Sequence, residues 1–423
     1  MSAPDPRLAP LIADAAAARQ RGDVATERRL LDQAMGIAPD NPQVLNARGM
    51  RAIADGDGAM AARVFAAAAE RDPGQPILLI NLATAERLRG DADAEAAALS
   101  RALDIDRLNF VAQLRLAELN QRRGDDTAAA VGWSGVVQMA AAMPDRPPMI
   151  EDALQRGRTF LAAHTAALDA RINDAIGGAL AAMGPDGRRI DACIGHLLGR
   201  RAIYANQPSG VHVPFLPADE FFDRRLFPWF AALEAQTDAI RAEALALVAE
   251  GIPAIRPYVR QEPGTPENKW TALDNNTDWS ACFLWEYGLR NDEVCERCPA
   301  TAAALAAIPQ NDIPGKAPTA FFSILRPGAH IPPHTGVTNT RAIVHLPLVV
   351  PDGCTFRVGG ETRPWREGEA FAFDDTIEHE AWNPTAQPRI VLILDVWNPH
   401  LGTDEQRLLK ELFRVTGQGA VKP

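Results

Sequence analysis

The chain has 423 residues, 47% of them hydrophobic, with 54 acidic against 43 basic side chains and a formal net charge of −11. That length supports two or three domains and a large core, and an acidic balance without a basic tract argues against nucleic-acid binding. No window is apolar for long enough to span a bilayer. Five scattered cysteines, Cys193, Cys282, Cys295, Cys298 and Cys354, fit a reducing compartment. Met1–Pro10 lacks the basic start and apolar core of a signal peptide, so a cytoplasmic location is expected.

Gly22-Asp23, Gly56-Asp57, Gly90-Asp91 and Gly124-Asp125 recur every 34 residues, the period of the tetratricopeptide helix–turn–helix unit. Glycine suits the left-handed end of one helix and aspartate caps the next. In the unit that starts at Pro42, Gly49 marks the close approach of two helices. Ala61 and Ala68 pack between them, Phe65 fills the groove and Pro73 ends the unit. Ala34, Ala102 and Val136 repeat the place of Ala68, and Leu31, Leu99 and Trp133 that of Phe65. Pro39 repeats Pro73, whereas Arg107 breaks that series. An α-solenoid over residues 1–142 is expected, with a concave face for a peptide or protein segment. The same face could instead dimerise or support the rest of the chain.

Residues 143–205 read as a helical connector, broken at Met143–Pro148 and Met183–Arg188. Between the breaks, Ile150–Ala182 is an alanine-rich amphipathic stretch expected to form a helical hairpin. His164 and His196 read as surface or packing residues. Phe221–Glu250 is again helical by periodicity, with the FFDRRLF aromatics and Trp229 on its apolar side.

From Phe321 to Pro399 the pattern changes. The β-branched runs Ala342–Val350, Cys354–Val358, Ala370–Phe373 and Arg389–Val396 alternate with Gly and Pro turns, the signature of a sandwich or barrel. Four of the eight histidines, His330, His334, His345 and His379, fall in this stretch. His334 and His379 are 45 residues apart, far enough to come from different strands. Arg389 opens the apolar run IVLIL, where a lone buried guanidinium would be uncompensated. By period two, Arg341, Ile343 and His345 share a strand face. Asp374 and Asp375 read either as groups that orient an imidazole or as turn residues. His330 is a rival ligand. Cys295-x-x-Cys298 lacks a second pair, so zinc is not expected there.

The blocks SILRPG, HTGVTNTR, HLPLVVP, FDDTIEHEAWN and RIVLILDVWNP carry a resemblance, as do Asp278–Asn291 and Pro214–Trp229. Over roughly its C-terminal half the chain resembles the aspartyl/asparaginyl β-hydroxylase family of iron(II)- and 2-oxoglutarate-dependent oxygenases. The resemblance implies a multidomain α + β protein. Residues 206–405 would form a closed double-stranded β-helix (jelly roll) with covering helices, and residues 406–423 a tail. It implies Fe(II), 2-oxoglutarate and O2 as cofactors and cosubstrates. His334 and His379 would be the metal ligands and catalytic centre, with Gly336 where most such sites place a carboxylate.

The resemblance further places Ser323 and Arg389 on the distal carboxylate of 2-oxoglutarate, His345 on its proximal carboxylate, Trp285 near that pocket and Arg341 on an acidic substrate group. Ile343 departs from the arginine of animal members. The implied reaction is β-hydroxylation of an aspartyl or asparaginyl residue in a peptide or protein recruited by the repeats. A free amino acid, a small metabolite or a lipid-linked acyl chain is the alternative substrate. A non-catalytic repeat scaffold is the alternative of another class.

Overall fold

Each Gly-Asp dipeptide ends one helix and starts the next. In the computed structural model, Gly22, Gly56, Gly90 and Gly124 take φ between 71° and 76°, the left-handed region that favours glycine. Asp23, Asp57, Asp91 and Asp125 then accept the backbone N–H of Thr26, Met60, Ala94 and Ala128 at 2.9–3.0 Å, an N-cap in each case. The structure describes residues 5–416. The first residues of the Met1–Pro10 reading and the last of the 406–423 tail lie outside them.

Two compact units divide at Arg188 and Arg189. The first holds an α-helical repeat region: α1 (Leu8–Gln20), α2 (Val24–Ile37), α3 (Pro42–Ala54), α4 (Gly58–Arg71), α5 (Pro76–Arg89), α6 (Ala92–Ile105), α7 (Phe110–Arg122) and α8 (Asp126–Ala141). Successive helices pack on each other. The positions equivalent to Phe65 and Ala68 are all buried, from Leu31 and Ala34 to Trp133 and Val136. Gly49 admits the Phe65 ring, because a Cβ there would stand 2.5 Å from Phe65 Cε1. After α9 (Pro148–Ile172), a π-helical turn at Asn173–Gly177 leads directly into α10 (Gly178–Met183). Ile150–Ala182 is thus one run of helix rather than a hairpin. No Gly-Pro or Asp-Gly break interrupts it before Gly184-Pro185, where Gly184 turns to φ 54°.

In the second unit α11 (Arg188–Leu197) is followed by an extended segment. Only then come α12 (Phe230–Glu234) and α13 (Thr237–Glu250), so the helix expected from Phe221 starts later. Phe221 instead bridges to Phe373 and is buried between the sheets. The strands are β1 (Ile255–Pro257), β2 (Trp279–Glu286), β3 (Leu289–Arg290), β4 (Ala320–Leu325), β5 (His330–His334), β6 (Arg341–Val349), β7 (Thr355–Val358), β8 (Glu361–Pro364), β9 (Phe371–Phe373), β10 (His379–Trp382) and β11 (Arg389–Trp397). Helices α14 (Asp292–Arg297) and α15 (Pro299–Ala306) interrupt them, and α16 (Thr403–Thr416) follows.

One sheet runs β1-β2-β4-β11-β6-β9 with β3 on β2; the other runs β5-β10-β7-β8. Neither closes. The expected closed double-stranded β-helix, or jelly roll, therefore gives way to two open antiparallel sheets that share an apolar layer. Their edges explain why: Pro257, Pro332, Pro333 and Pro364 sit on end strands and remove ladder donors, and β9 is three residues long. Turn signals mark where strands stop, but they do not say which edges pair.

Period two sorts the larger sheet. Leu284, Phe322, Ile324, Val344, Leu346, Leu392 and Leu394 face α13, α14 and α15 in one core. Leu325, Phe373 and Val391 face Ile331, Phe356, Val358 and Ala381 of the smaller sheet. Each fully buried Leu or Phe contributes about 1.5–3 kcal/mol, so both faces of the larger sheet are fixed and its register cannot slip.

Two glycine substitutions separate packing from propensity. Gly49→Ala should destabilise the repeat unit by about 1–3 kcal/mol, because the Phe65 ring must move. Gly36→Ala meets no atom within 4 Å and should be neutral or stabilise by up to about 1 kcal/mol. Urea unfolding of the two variants tests the pair, and equal effects would contradict the close approach.

Candidate active site

β10 pairs with β5 so that His379 lies directly opposite His334. Their rings approach to 4.0 Å between centroids. Each ring nitrogen Nδ1 faces a carbonyl two residues earlier in the chain, His334 that of Pro332 at 2.8 Å and His379 that of Ile377 at 3.0 Å. Nδ1–H must donate there, which leaves both Nε2 lone pairs free. Burial holds the His334 pKa well below the usual imidazole value, with His379 adding to the effect. Burial likewise lowers His379 to about 4. Two neutral imidazoles with free Nε2 atoms are a donor set that fits a first-row divalent ion such as iron(II). Among the described residues no group of three or more His, Cys, Asp or Glu side chains is arranged to hold a metal.

His330 is elsewhere. Its side chain is 42% exposed, its Nε2 contacts Glu380 at 3.1 Å, and its ring stacks on Trp382. Cys295 lies in α14 and Cys298 directly after it; both are buried, and burial raises the pKa of both thiols.

Gly336 is where a third ligand would be expected. Its N–H donates to the Asp375 carbonyl at 2.5 Å, and a Cβ built there would fall inside the Asp375 carboxylate. That carboxylate arrives from the turn before β10 and is held by Arg341 Nη2 at 2.8 Å. Asp375 Oδ1 is buried and has no hydrogen-bond partner. Asp374 instead accepts Thr376 N at 2.9 Å, Thr376 Oγ1 at 2.6 Å and Asn206 Nδ2 at 2.7 Å, and so shapes the turn. Burial raises its carboxyl to about 6.

Deeper between the sheets lies Arg389, 1% exposed. Asn383 positions it: its buried amide donates to the carbonyls of Leu325, Arg326 and Gln387 and thereby fixes the turn into β11. Arg389 Nη1 donates to Ser323 Oγ at 3.3 Å, its Cζ lies 4.7 Å from the Trp365 ring centroid, and its Nε has no partner. No carboxylate pairs with it among the described residues, and burial lowers its pKa to about 10. Ser323 Oγ also accepts Trp279 Nε1–H at 3.1 Å, so its own O–H remains to donate. His345 accepts Trp365 Nε1–H on Nδ1 at 3.4 Å. It is neutral through burial and the nearby Arg389 charge, so its Nε2 carries the proton. A guanidinium, a hydroxyl and an imidazole N–H are thus gathered between the sheets. That pattern fits a dicarboxylate.

Sequence comparison agrees with this geometry. Residues 234–399 match the aspartyl/asparaginyl beta-hydroxylase family. The second unit carries an aspartyl/asparaginyl β-hydroxylase-like domain. Over 138 residues the chain is 40% identical to the aspartyl/asparaginyl beta-hydroxylase of Homo sapiens, 32% of this chain but 18% of that protein. It is 36% identical over 183 residues to the ornithine lipid ester-linked acyl 2-hydroxylase of Rhizobium tropici, 42% of this chain and 60% of that one. It is 30% identical over 214 residues to the aspartate beta-hydroxylase domain-containing protein 2 of Rattus norvegicus, 49% and 59% respectively. The chain thus spans less than two thirds of each relative. Among the described residues no helix is long and apolar enough to cross a membrane.

Trp285 departs from expectation. A bulge in β2 between Phe283 and Trp285 turns its side chain to the helix-covered core. The tryptophans that touch Ser323, Arg389 and His345 are Trp279 and Trp365, which sequence reasoning missed. Asp395 was also missed, although it shares the period-two face of β11 with Arg389. Its carboxylate pairs with Arg341 Nη1 at 3.3 Å.

The buried neutral histidines link stability to pH. A base whose folded pKa is depressed stabilises the fold above its unfolded pKa, and that contribution is lost as pH falls. For His379 the window is from the ordinary 6.5 down to about 4, worth about 3 kcal/mol at most. The metal-free wild type should therefore lose stability relative to His379→Asn as pH falls through this window. Urea midpoints of the two proteins check it, and a constant difference would show that His379 is not buried neutral.

Proposed function

We propose that the second unit is an iron(II)- and 2-oxoglutarate-dependent hydroxylase. Its carrying observation is the pairing of two free Nε2 atoms, on His334 and His379, with a buried Arg389 that no carboxylate of the described residues neutralises. Iron would be held by the two imidazoles, and when bound it supplies the activation of O2. Overall, 2-oxoglutarate, O2 and a C–H bond give succinate, CO2 and a C–OH group.

The residues of this chain bind and orient. Arg389 and Ser323 receive the distal carboxylate, where a charge-assisted bond replaces an uncompensated buried cation. His345 offers Nε2–H to the proximal carboxylate. Trp279, Trp365 and Phe356 wall the space and exclude water. Asp375, fixed by Arg341, keeps Oδ1 without a partner beside Gly336, where it would accept a hydrogen bond from a group bound next to the two imidazoles. Gly336 has no side chain because Asp375 needs that volume. Two relatives are named for aspartyl or asparaginyl substrates and one for a lipid acyl chain, so the target is open at the level of family. The repeat region, with Asn46 and Asn81 joined at 2.8 Å on adjacent repeats, would serve a peptide or protein partner in this reading.

Anaerobic iron(II) titration and succinate release test the assignment together. His334→Ala and His379→Ala should each weaken iron binding by about 100-fold or more and abolish 2-oxoglutarate turnover. His330→Ala should keep most of both. Full turnover in His379→Ala would overturn the ligand pair.

A further inference from the structure

The period that sets the helix joints also sets one wall of the repeat region. Helices α3, α5 and α7 begin 34 residues apart, at Pro42, Pro76 and Phe110. Ala47, Asn81 and Arg115 therefore take one place in successive repeats, and Gln43, Ile77 and Val111 another. Gln43 and Ala47 line a cavity of about 460 Å³ with Asn46, Met50 and Glu27, so Asn81 and Arg115 continue the same wall. Ile77 and Val111 are exposed on it. Asn81 Nδ2 donates to Asn46 Oδ1 at 2.8 Å. That leaves an amide NH2 on Asn46 and an amide carbonyl on Asn81, one donor and one acceptor, which is what one peptide unit requires.

Arg115 ends this wall with a charge. It is half-buried, and its Nη1 donates to Thr84 Oγ1 and, at 3.2 Å, to the Ile80 carbonyl, neither of which is charged. Burial first, then the neighbouring Arg87, hold its pKa below the ordinary guanidinium value, and the pull of Glu118 and Glu95 does not make up for it. The nearby carboxylates are engaged elsewhere. Arg156 holds Glu118 at 2.7 Å and Asp152 at 2.8 Å, Arg122 holds Glu95 at 2.9 Å, and Arg89 holds Glu86 at 2.6 Å. Arg87 is exposed, and neither it nor Arg115 has a carboxylate partner among the described residues. Toward α1 no cation is in excess: Glu27 lies between Arg51 at 2.8 Å and Arg19 at 3.5 Å, and Asp72 lines the same cavity.

We propose that this wall binds an extended peptide segment that sets a carboxylate on Arg115 and Arg87 and its backbone on the Asn46–Asn81 pair. This rests on the reading of the repeat region as a peptide-binding surface, and not on the chemistry of the second unit. A guanidinium that has spent one Nη on uncharged acceptors keeps Nε and Nη2 for a carboxylate, the geometry of a two-pronged charge-assisted bond. Its desolvation is in part already met before the peptide arrives. Ile77 and Val111 offer apolar contact beside it. The chain as a whole carries −11 and repels an acidic peptide at long range, so a preference for acid must come from a local site.

Fluorescence polarisation on the metal-free full chain can compare two end-labelled decapeptides, one alternating alanine with aspartate and one alternating alanine with asparagine. The aspartate peptide should bind at least about tenfold more tightly, and added sodium chloride should narrow that gap. Arg115→Gln should bring the two peptides to within about twofold of each other. Arg87→Gln, at an exposed side chain, keeps the test open should that variant not fold, and should narrow the gap by about threefold. Asn81→Ala should weaken both peptides alike. An unchanged gap in the arginine variants places the carboxylate site elsewhere and overturns the proposal. Equal binding of the two peptides by the wild type overturns the carboxylate assignment while the peptide-binding reading stands; binding of neither overturns both. Succinate release by the iron-loaded wild type without peptide reports on the hydroxylase reading alone.

Discussion

A guanidinium buried without a carboxylate is the constraint on which the rest of the second unit depends. Removing a full charge from water costs several kcal/mol unless a partner is supplied, and Arg389 has only a serine hydroxyl and an indole face. The surrounding structure holds it there regardless. Asn383 clamps the turn that feeds β11, the sheet registers Arg389 opposite Leu325, and Trp365 caps the charge while polarising His345. In the proposed reading, this cation and the donor-ready Ser323 are the partners of one carboxylate of the cosubstrate.

The two charged clusters between the sheets differ in balance. Around Arg389 the positive charge is in excess. Around Arg341 two carboxylates hold the guanidinium, Lys316 lines the same pocket, and burial lifts Asp395 to about 6.

Much of this was legible in the residues. The 34-residue Gly-Asp period located four helix–turn–helix joints, and each proves to be a left-handed glycine followed by an aspartate N-cap. Period two correctly put Arg341, Ile343 and His345 on one face, since β6 alternates between the two cores. What failed depended on non-local pairing. Sheet closure is decided by which edges meet, and proline-bearing edges left both sheets open. Trp285 was expected near the cosubstrate only through the resemblance, and after a bulge in β2 its side chain packs against the helix-covered core. Trp279 and Trp365 gave no local signal, because they reach the pocket from a neighbouring strand and a turn. Asp395 did give one, as a lone carboxylate in an otherwise apolar strand, and its partner Arg341 was the residue to seek.

The most direct test of the account is thermal unfolding of the metal-free protein with 2-oxoglutarate and with 2-oxopentanoate, which has the same chain length but ends in a methyl group. A ligand held at a hundred times its dissociation constant stabilises the folded state by about 2.7 kcal/mol. If Arg389 receives the distal carboxylate, 2-oxoglutarate should raise the melting temperature and 2-oxopentanoate should leave it unchanged. Equal stabilisation by the two compounds, or none by 2-oxoglutarate, would contradict the account.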